Sequence, residues 1–345
     1  MAAPDRLTTA GSTTQANERR NQTVGVAMYL VAALLFAVNG VFAKNALNAG
    51  LDAMHLTELR NAGAMLVLLA YVAIVHRDRL KVSRQELPFL IAYGVIAFTL
   101  VQFLYFLTIS RLPVGIGSLL AFLAPVAVAL WMRFVRKQPV GNRIWVAIAL
   151  TIGGLALVAQ VWQGLTLDAL GVIAGLLLAV ALAAYWLLGE SGQRRRDAVS
   201  LTMWGFIFAT ITWSVIAPWW TFPWSDLTII TEPLLNDGPA LPVWAFMVWG
   251  VLLGTIAPFL LVLGSLRRIG AQRAGIVGTT EPLWAAIIAL VLLGETFTAV
   301  QAIGGLVVLV GVVVAETSRV GTVTPGEFPQ IQVAQTRTES GGMNP

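Results

Sequence analysis

Glu281 is the most informative residue of this 345-residue chain. It stands inside a long apolar stretch, directly before Pro282 and after Thr279 and Thr280. If that stretch crosses a bilayer, a carboxylate near its centre costs about 2.5–3.5 kcal/mol on insertion scales. Such a group faces the inside of a helix bundle, and either pairs with a cation or takes up a proton. A carboxyl that exchanges its proton can carry it between two facing states. The competing role is a structural cap, because Pro282 cannot donate a backbone hydrogen bond and perturbs the turn before it.

Glu58 and Arg60 form a second constellation, about one and a half turns into another apolar stretch. Two residues apart, they point to different faces of a helix and pair poorly with each other. Arg60 suits a substrate carboxylate or phosphate, or Glu281 across a cavity, or it snorkels to the headgroups. His55, a turn before Glu58, reads as an interfacial residue, and the pair makes no zinc pattern. Asn39, Lys44, Gln102, Tyr105, Tyr185, Trp186 and Thr280 complete the candidate substrate-binding or coupling set, and Thr255 is a further polar position deep in a span. The aromatic members could stack on a ring or shape a gate; taken one at a time, helix packing explains each as well.

Chemistry of other kinds finds no support. There is no cysteine and only two histidines, His55 and His76, so no metal or other cofactor is expected. No phosphate-binding G-x-x-x-x-G-K-[ST], H-E-x-x-H or G-x-S-x-G motif appears. An enzyme is not expected.

These residues need elements to hold them, and composition says which. The chain is 57% hydrophobic and 11% charged, against about 25% charged in a soluble domain. A water-soluble protein so poor in charge would expose large apolar patches. A spanning helix takes about 20 apolar residues, and ten segments qualify. They run approximately Val24–Ala43, Ala53–Val75, Leu87–Ile109, Val114–Phe134, Ile144–Val161, Leu167–Leu188, Val199–Trp220, Pro242–Leu263, Ala271–Leu293 and Thr298–Ala315. The fold class is therefore an all-α integral membrane protein with ten transmembrane helices. Trp131, Trp145, Trp162, Trp219, Trp220, Trp224 and Trp244 fall near span ends and read as interface anchors.

Lys and Arg set the orientation. With the N-terminus in the cytoplasm, the basic clusters around Arg77–Arg84, Arg133–Arg143, Arg194–Arg196 and Arg267–Arg273 all fall inside. Only Lys44 and Arg111 fall outside, and the long outer loop Thr221–Leu241 has no Lys or Arg. Both termini are then cytoplasmic. The net charge of +5 is a topology signal, and no nucleic-acid partner is expected. Residues 1–23 and 317–345 read as disordered cytoplasmic tails.

The chain also repeats itself. Gly25 through Lys44 aligns without gaps on Gly171 through Glu190. At one further offset Arg111 falls on Arg268, Pro125 on Pro282 and Gly154 on Gly311. Each half, residues 24–161 and 162–316, holds five helices. Five is odd, so the second half enters from the opposite side, as an inverted repeat with its site near the midplane. Pro125 and Pro282 in matching helices predict two bends that hinge alternating access.

The stretch Gly264–Ala274, then Glu281-Pro282-Leu283, Leu293-Gly294-Glu295, Ile303-Gly304-Gly305 and Gly311, resembles the drug/metabolite transporter superfamily, and most closely its EamA-domain branch. Arg111-Leu112-Pro113, Ala124-Pro125 and Gly153-Gly154 echo it in the first half, as do Phe36–Lys44 and Glu58-Leu59-Arg60. The resemblance implies two EamA-like halves and export of a small metabolite or drug from a cell's inner (plasma) membrane, by a secondary transporter with proton coupling to Glu281 as one option. The first half departs from the pattern with Ala124 facing Glu281 and Lys137-Gln138 facing Gly294-Glu295. The partners expected are a small-molecule substrate and the lipid bilayer, with a homodimer left open. A membrane enzyme acting on lipid, and a channel or non-transporting membrane protein, are the alternatives; the first lacks a His or Asp cluster and the second a selectivity ring.

Overall fold

The computed structural model describes residues 6–137, 142–160, 167–234 and 240–317. Among them the regular structure is helical, apart from an isolated antiparallel bridge between Ile230 and Pro242. The helices are α1 (Arg6–Asn48), α2 (Ala53–Val75), α3 (Leu87–Gly94), α4 (Val101–Arg111), α5 (Val114–Ala121), α6 (Ala124–Phe134) and α7 (Arg143–Ala159) in the first part. The second part holds α8 (Ala169–Gln193), α9 (Ala198–Ile216), α10 (Val243–Val251), α11 (Ala257–Gly278), α12 (Glu281–Leu293) and α13 (Ala299–Thr317). Eight helical stretches are long and apolar enough to cross a membrane, and α7 and α13 are shorter apolar helices. The chain is a multi-pass membrane protein.

Lipid explains which residues face outward. Ile74, Ile152, Val215 and Val291 are exposed, while Glu58, Arg60, Asn61 and Asn39 are buried. In water this distribution would be inverted; in a bilayer the apolar rim costs nothing and the polar groups gather inside.

Local sequence sets the ends. Asp52 caps α2 by accepting from the Met54 and His55 amides, and Asp197 caps α9 from the Val199 and Ser200 amides. Gly294 closes α12 in the left-handed conformation at φ 65°. The first helix begins at Arg6, well before Val24. Once a helix is nucleated in the apolar span, each added residue gains a backbone bond at little cost.

Two departures from regular helix interrupt the spans. Val95–Leu100 and Leu252–Ile256 are π-helical turns, joining α3 to α4 and α10 to α11. At the offset that places Pro125 on Pro282, Val95 falls on Leu252. At the same offset, the breaks at Phe122–Leu123 and Thr279–Thr280 coincide, so α5/α6 and α11/α12 are split at matching points.

The chain between the eighth and ninth predicted spans belongs to α11, which packs along α1. A Cβ on Gly264 would strike Met28, and Arg268 and Ile269 lie against Gly25, a turn lower on α1. Gly278 lies against Tyr29. Elsewhere, α7 and α13 touch along backbone: a Cβ on Gly154 would come within 2.7 Å of the Gly304 carbonyl oxygen. Small residues let these two helices approach where lipid offers no hydrophobic drive.

Candidate functional site

Arg60 lies near the middle of the bundle. It is 8% exposed, so it does not reach the headgroups. Its Nε donates to Thr255 Oγ1 at 2.7 Å, one terminal nitrogen to Asn39 Oδ1 at 2.9 Å, and the other to the Gly254 carbonyl at 2.6 Å. The Phe106 ring covers the guanidinium, with Cζ 5.2 Å from its centroid. Four elements converge here: α1, α2, α4 and the second π-helical turn.

The local backbone makes this geometry available. A π-helical turn displaces the ordinary i to i−4 ladder and frees a carbonyl to face a side chain. Gly254 supplies that carbonyl, and its lack of a Cβ admits Asn39. Thr255 turns its own hydroxyl back to the Gly250 carbonyl at 2.8 Å, which fixes its oxygen for Arg60. The neighbouring Asn61 does the equivalent on the other side: its amide donates to the Phe98 carbonyl, in the first π-helical turn, at 3.2 Å. Gln102 in turn donates to Asn61 Oδ1 at 2.9 Å. Consecutive residues of α2 thus engage both π-helical turns.

Apolar layers lie to either side. Toward the Asp52 end of α2 are Leu56, Phe106, Phe246 and Met247. Toward its His76 end is an aromatic layer, in which Phe98 stacks obliquely on Phe206 at 4.1 Å and touches Tyr185 at 6.1 Å. Tyr93 and Tyr185 stand 6.0 Å apart in the same layer. A narrow cavity reaches Arg60 between Asn39, Ala43, Leu56, Phe246 and Gly250.

Glu281 opens α12 directly after the Thr279–Thr280 break and is half-buried. Thr279 and Thr280 fold their hydroxyls onto the Ile276 and Val277 carbonyls, which also accept from the Thr279 and Thr280 amides at the end of α11. Pro282 sits in the first turn of α12 and Pro125 in the first turn of α6. At this position a proline costs no hydrogen bond and starts a helix rather than bending one. Each proline follows a two-residue turn, Phe122–Leu123 or Thr279–Thr280, between two successive helices of one span. Tyr105 packs against α1, where a Cβ on Gly40 would come within 2.5 Å of its hydroxyl.

Residues 23–160 and residues 169–317 each match the EamA-like transporter family, so the match covers most of the chain. The chain belongs to the EamA-like transporter family. Among curated relatives, the uncharacterized inner membrane transporter YicL of Salmonella typhimurium is 23% identical over 295 residues, covering 84% of this chain and 94% of the relative. The threonine/homoserine exporter RhtA of Escherichia coli K12 is 27% identical over 257 residues, covering 73% of this chain and 78% of the relative. An uncharacterized transporter of Archaeoglobus fulgidus is 26% identical, covering 84% and 96%. One crystal structure of a protein superposes with a TM-score of 0.55 at 16% identity, covering 85% of this chain and 96% of the other, which is a likeness of fold.

Other candidate residues of this EamA-like chain fall outside the Arg60 cluster. Lys44 donates to the Ile109 and Leu112 carbonyls and so caps the end of α4. Glu295 accepts from the Val114 amide at 2.8 Å. Burial raises the Glu295 carboxyl above its usual range, opposed by that amide and by Lys44. Trp186 packs with Ala124, Val128 and Ala183. His55 bonds Asp52 at 2.6 Å near the start of α2, as an interfacial residue would. Glu58 is fully buried, makes no ion pair with Arg60, and has no hydrogen-bond partner for either oxygen among the described residues. Trp162 and Gln138 lie outside the described residues.

At the His76 end of α2, the 77–86 segment is tied to the start of α9. Arg79 pairs with Asp197 at 3.0 Å and Arg196 with Glu86 at 2.9 Å. Arg196 holds the Glu86 carboxyl below its usual range. Arg111 and Asp168 pair at 3.5 Å at the opposite end.

Sequence reasoning missed Asn61, Phe106 and the carbonyl of Gly254. Asn61 carried a signal, being a second polar residue beside Arg60 in an apolar span. Phe106 carried none, as one of many apolar residues in its helix.

Proposed function

We propose that this chain is a secondary transporter that exports a small metabolite by alternating access. In this reading it has ten membrane crossings in two inverted five-helix halves, residues 24–161 and 162–316, in the inner membrane with both termini in the cytoplasm. The observation that carries it is the Arg60 cluster, a buried polar site built by Asn39 and Arg60 from the first half and Gly254 and Thr255 from the second. A site shared between halves changes when the halves rock, which is what alternating access requires.

The paired breaks before Pro125 and Pro282 and the paired π-helical turns support matching halves. The ion pairs Arg79–Asp197 and Arg196–Glu86 join the two halves at the end assigned to the cytoplasm. They would hold that end shut and part when it opens. Glu281, half-buried at an internal helix start, is the candidate proton carrier. The relatives named threonine/homoserine exporters make a small amino acid the first substrate class to try.

The test is flux from proteoliposomes loaded with a mixture of labelled amino acids, with and without an imposed pH gradient. Wild-type protein should release one class faster than protein-free vesicles. Glu281→Gln should insert normally and lose at least tenfold in gradient-driven release. Equal release from wild type and Glu281→Gln would remove the proton-carrier role. Release equal to protein-free vesicles for every compound would remove amino acids as the substrate class.

A further inference from the structure

We propose that Arg60 is the residue on which this protein seats the carboxylate of its ligand, and that its ligands are small carboxylic acids, amino acids included. This deepens the transport reading above, resting on it only for the claim that the ligand is moved.

The first ground is charge. Arg60 is buried, and among the described residues no carboxylate lies within ion-pair distance of it. Its partners are three neutral oxygens and an aromatic face. A cation taken out of water without a counter-anion is costly, and breaking or omitting the partner of a buried charge is among the larger penalties in a fold. Neutral acceptors hold its orientation but leave its charge uncompensated. The two buried acidic candidates do not supply the anion: among the described residues neither Glu58 nor Glu281 makes an ion pair with Arg60.

The second ground is donor arithmetic. A guanidinium has five N–H groups: one on Nε and two on each terminal nitrogen. Asn39, Gly254 and Thr255 take one from each nitrogen. One N–H therefore remains on each terminal nitrogen. A carboxylate has two oxygens that can accept from charged N–H donors of this kind.

The third ground is access. The cavity bordered by Asn39, Ala43, Leu56, Phe246, Met247 and Gly250 ends on Arg60. Apart from Asn39 its walls are apolar or backbone. The space at Arg60 has room for about one water molecule in this state, so a ligand sets one charged end on Arg60 and a short aliphatic remainder against Leu56, Phe246 and Met247 only when the halves part. A phosphate fits less well: its second charge and third oxygen would face the apolar wall.

The experiment measures thermal stabilisation of the purified full-length protein in detergent by matched acid and amide probes. The probes are butyrate with butyramide, L-threonine with L-threoninamide, and inorganic phosphate. The acids should stabilise the wild type at concentrations about ten to a hundred times lower than their amides, the range expected for hydrogen bonds to a charged group. Arg60→Gln should abolish the acid preference. Arg60→Lys should keep part of it, since lysine supplies the charge without the fork. The acid–amide comparison on wild-type protein needs no variant to fold. The proposal is overturned if the amides stabilise as well as the acids, if phosphate outcompetes both acids, or if neither acid shifts the melting temperature. Carboxylate binding without flux would sink the transport reading and leave Arg60 standing. Flux restricted to uncharged compounds would do the reverse.

Discussion

Replacing Gly254 with alanine tests whether the Arg60 cluster is packed as described. In an ordinary helix interior, glycine to alanine is favourable by roughly 0.5–1 kcal/mol. Here the sign should reverse. A Cβ on Gly254 would come within 2.9 Å of Asn39 Cβ and closer still to its carboxamide. The approach reaches the root of the side chain, so rotating the amide does not relieve it. Overpacking of this kind costs about 1–3 kcal/mol. If Asn39 retreats, Arg60 loses its 2.9 Å acceptor, worth about 1.5–3 kcal/mol for a charged donor. The two costs are alternatives in part, so a net loss of about 2–4 kcal/mol is expected. Gly250→Ala is the internal control, because its Cβ would stand 3.6 Å from Asn39 Oδ1, an ordinary contact. The assay is apparent melting in mild detergent for the two variants and for each combined with Asn39→Ala. Gly254→Ala should melt lower than wild type and Gly250→Ala should not. Asn39→Ala should relieve the Gly254→Ala clash, giving a coupling between the two sites. Equal melting of Gly254→Ala and Gly250→Ala would refute the close approach of α1 to the second π-helical turn.

Two further outcomes follow from the packing and the charges. Gly154→Ala should destabilise by about 1–3 kcal/mol, because its Cβ would meet backbone atoms of Gly304 and Val308 that cannot swing aside. Gly153→Ala, with nothing within 4 Å, should be neutral or slightly stabilising; matched melting of the two would contradict the α7–α13 contact. The Glu86–Arg196 pair should contribute about 1 kcal/mol or less. Because Arg196 holds the folded carboxyl below its usual range, that contribution is complete above about pH 4.3 and is lost as pH falls through the folded value. The stability gap between wild type and Glu86→Gln should therefore close on acidification, and a gap that widens would count against the pair.

Much of the fold was legible because hydropathy is a local property. Runs of apolar residues located the crossing helices, and α2 spans the predicted Ala53–Val75. A charge inside such a run, as at Arg60, already had to face inward. The site was legible only in part. Asn39, Arg60 and Thr255 were all singled out as polar residues deep in spans, and the structure brings them together. Glu58 and Trp186 were singled out on the same ground and stand apart, as does Lys44, which caps a helix. Residue type alone could not separate these groups, since an inward-facing polar side chain caps a helix as readily as it lines a cavity.

The sequence by itself determined that this chain lives in a membrane and which family it belongs to, because each depends on composition and order along the chain. Tertiary structure alone decided that Arg60 meets Thr255, 195 residues away, without meeting a carboxylate. It also decided that two spans carry π-helical turns and two break before their prolines. These depend on how helices distant in sequence press together, and a backbone leaves the regular ladder only where such a neighbour takes up the freed carbonyl.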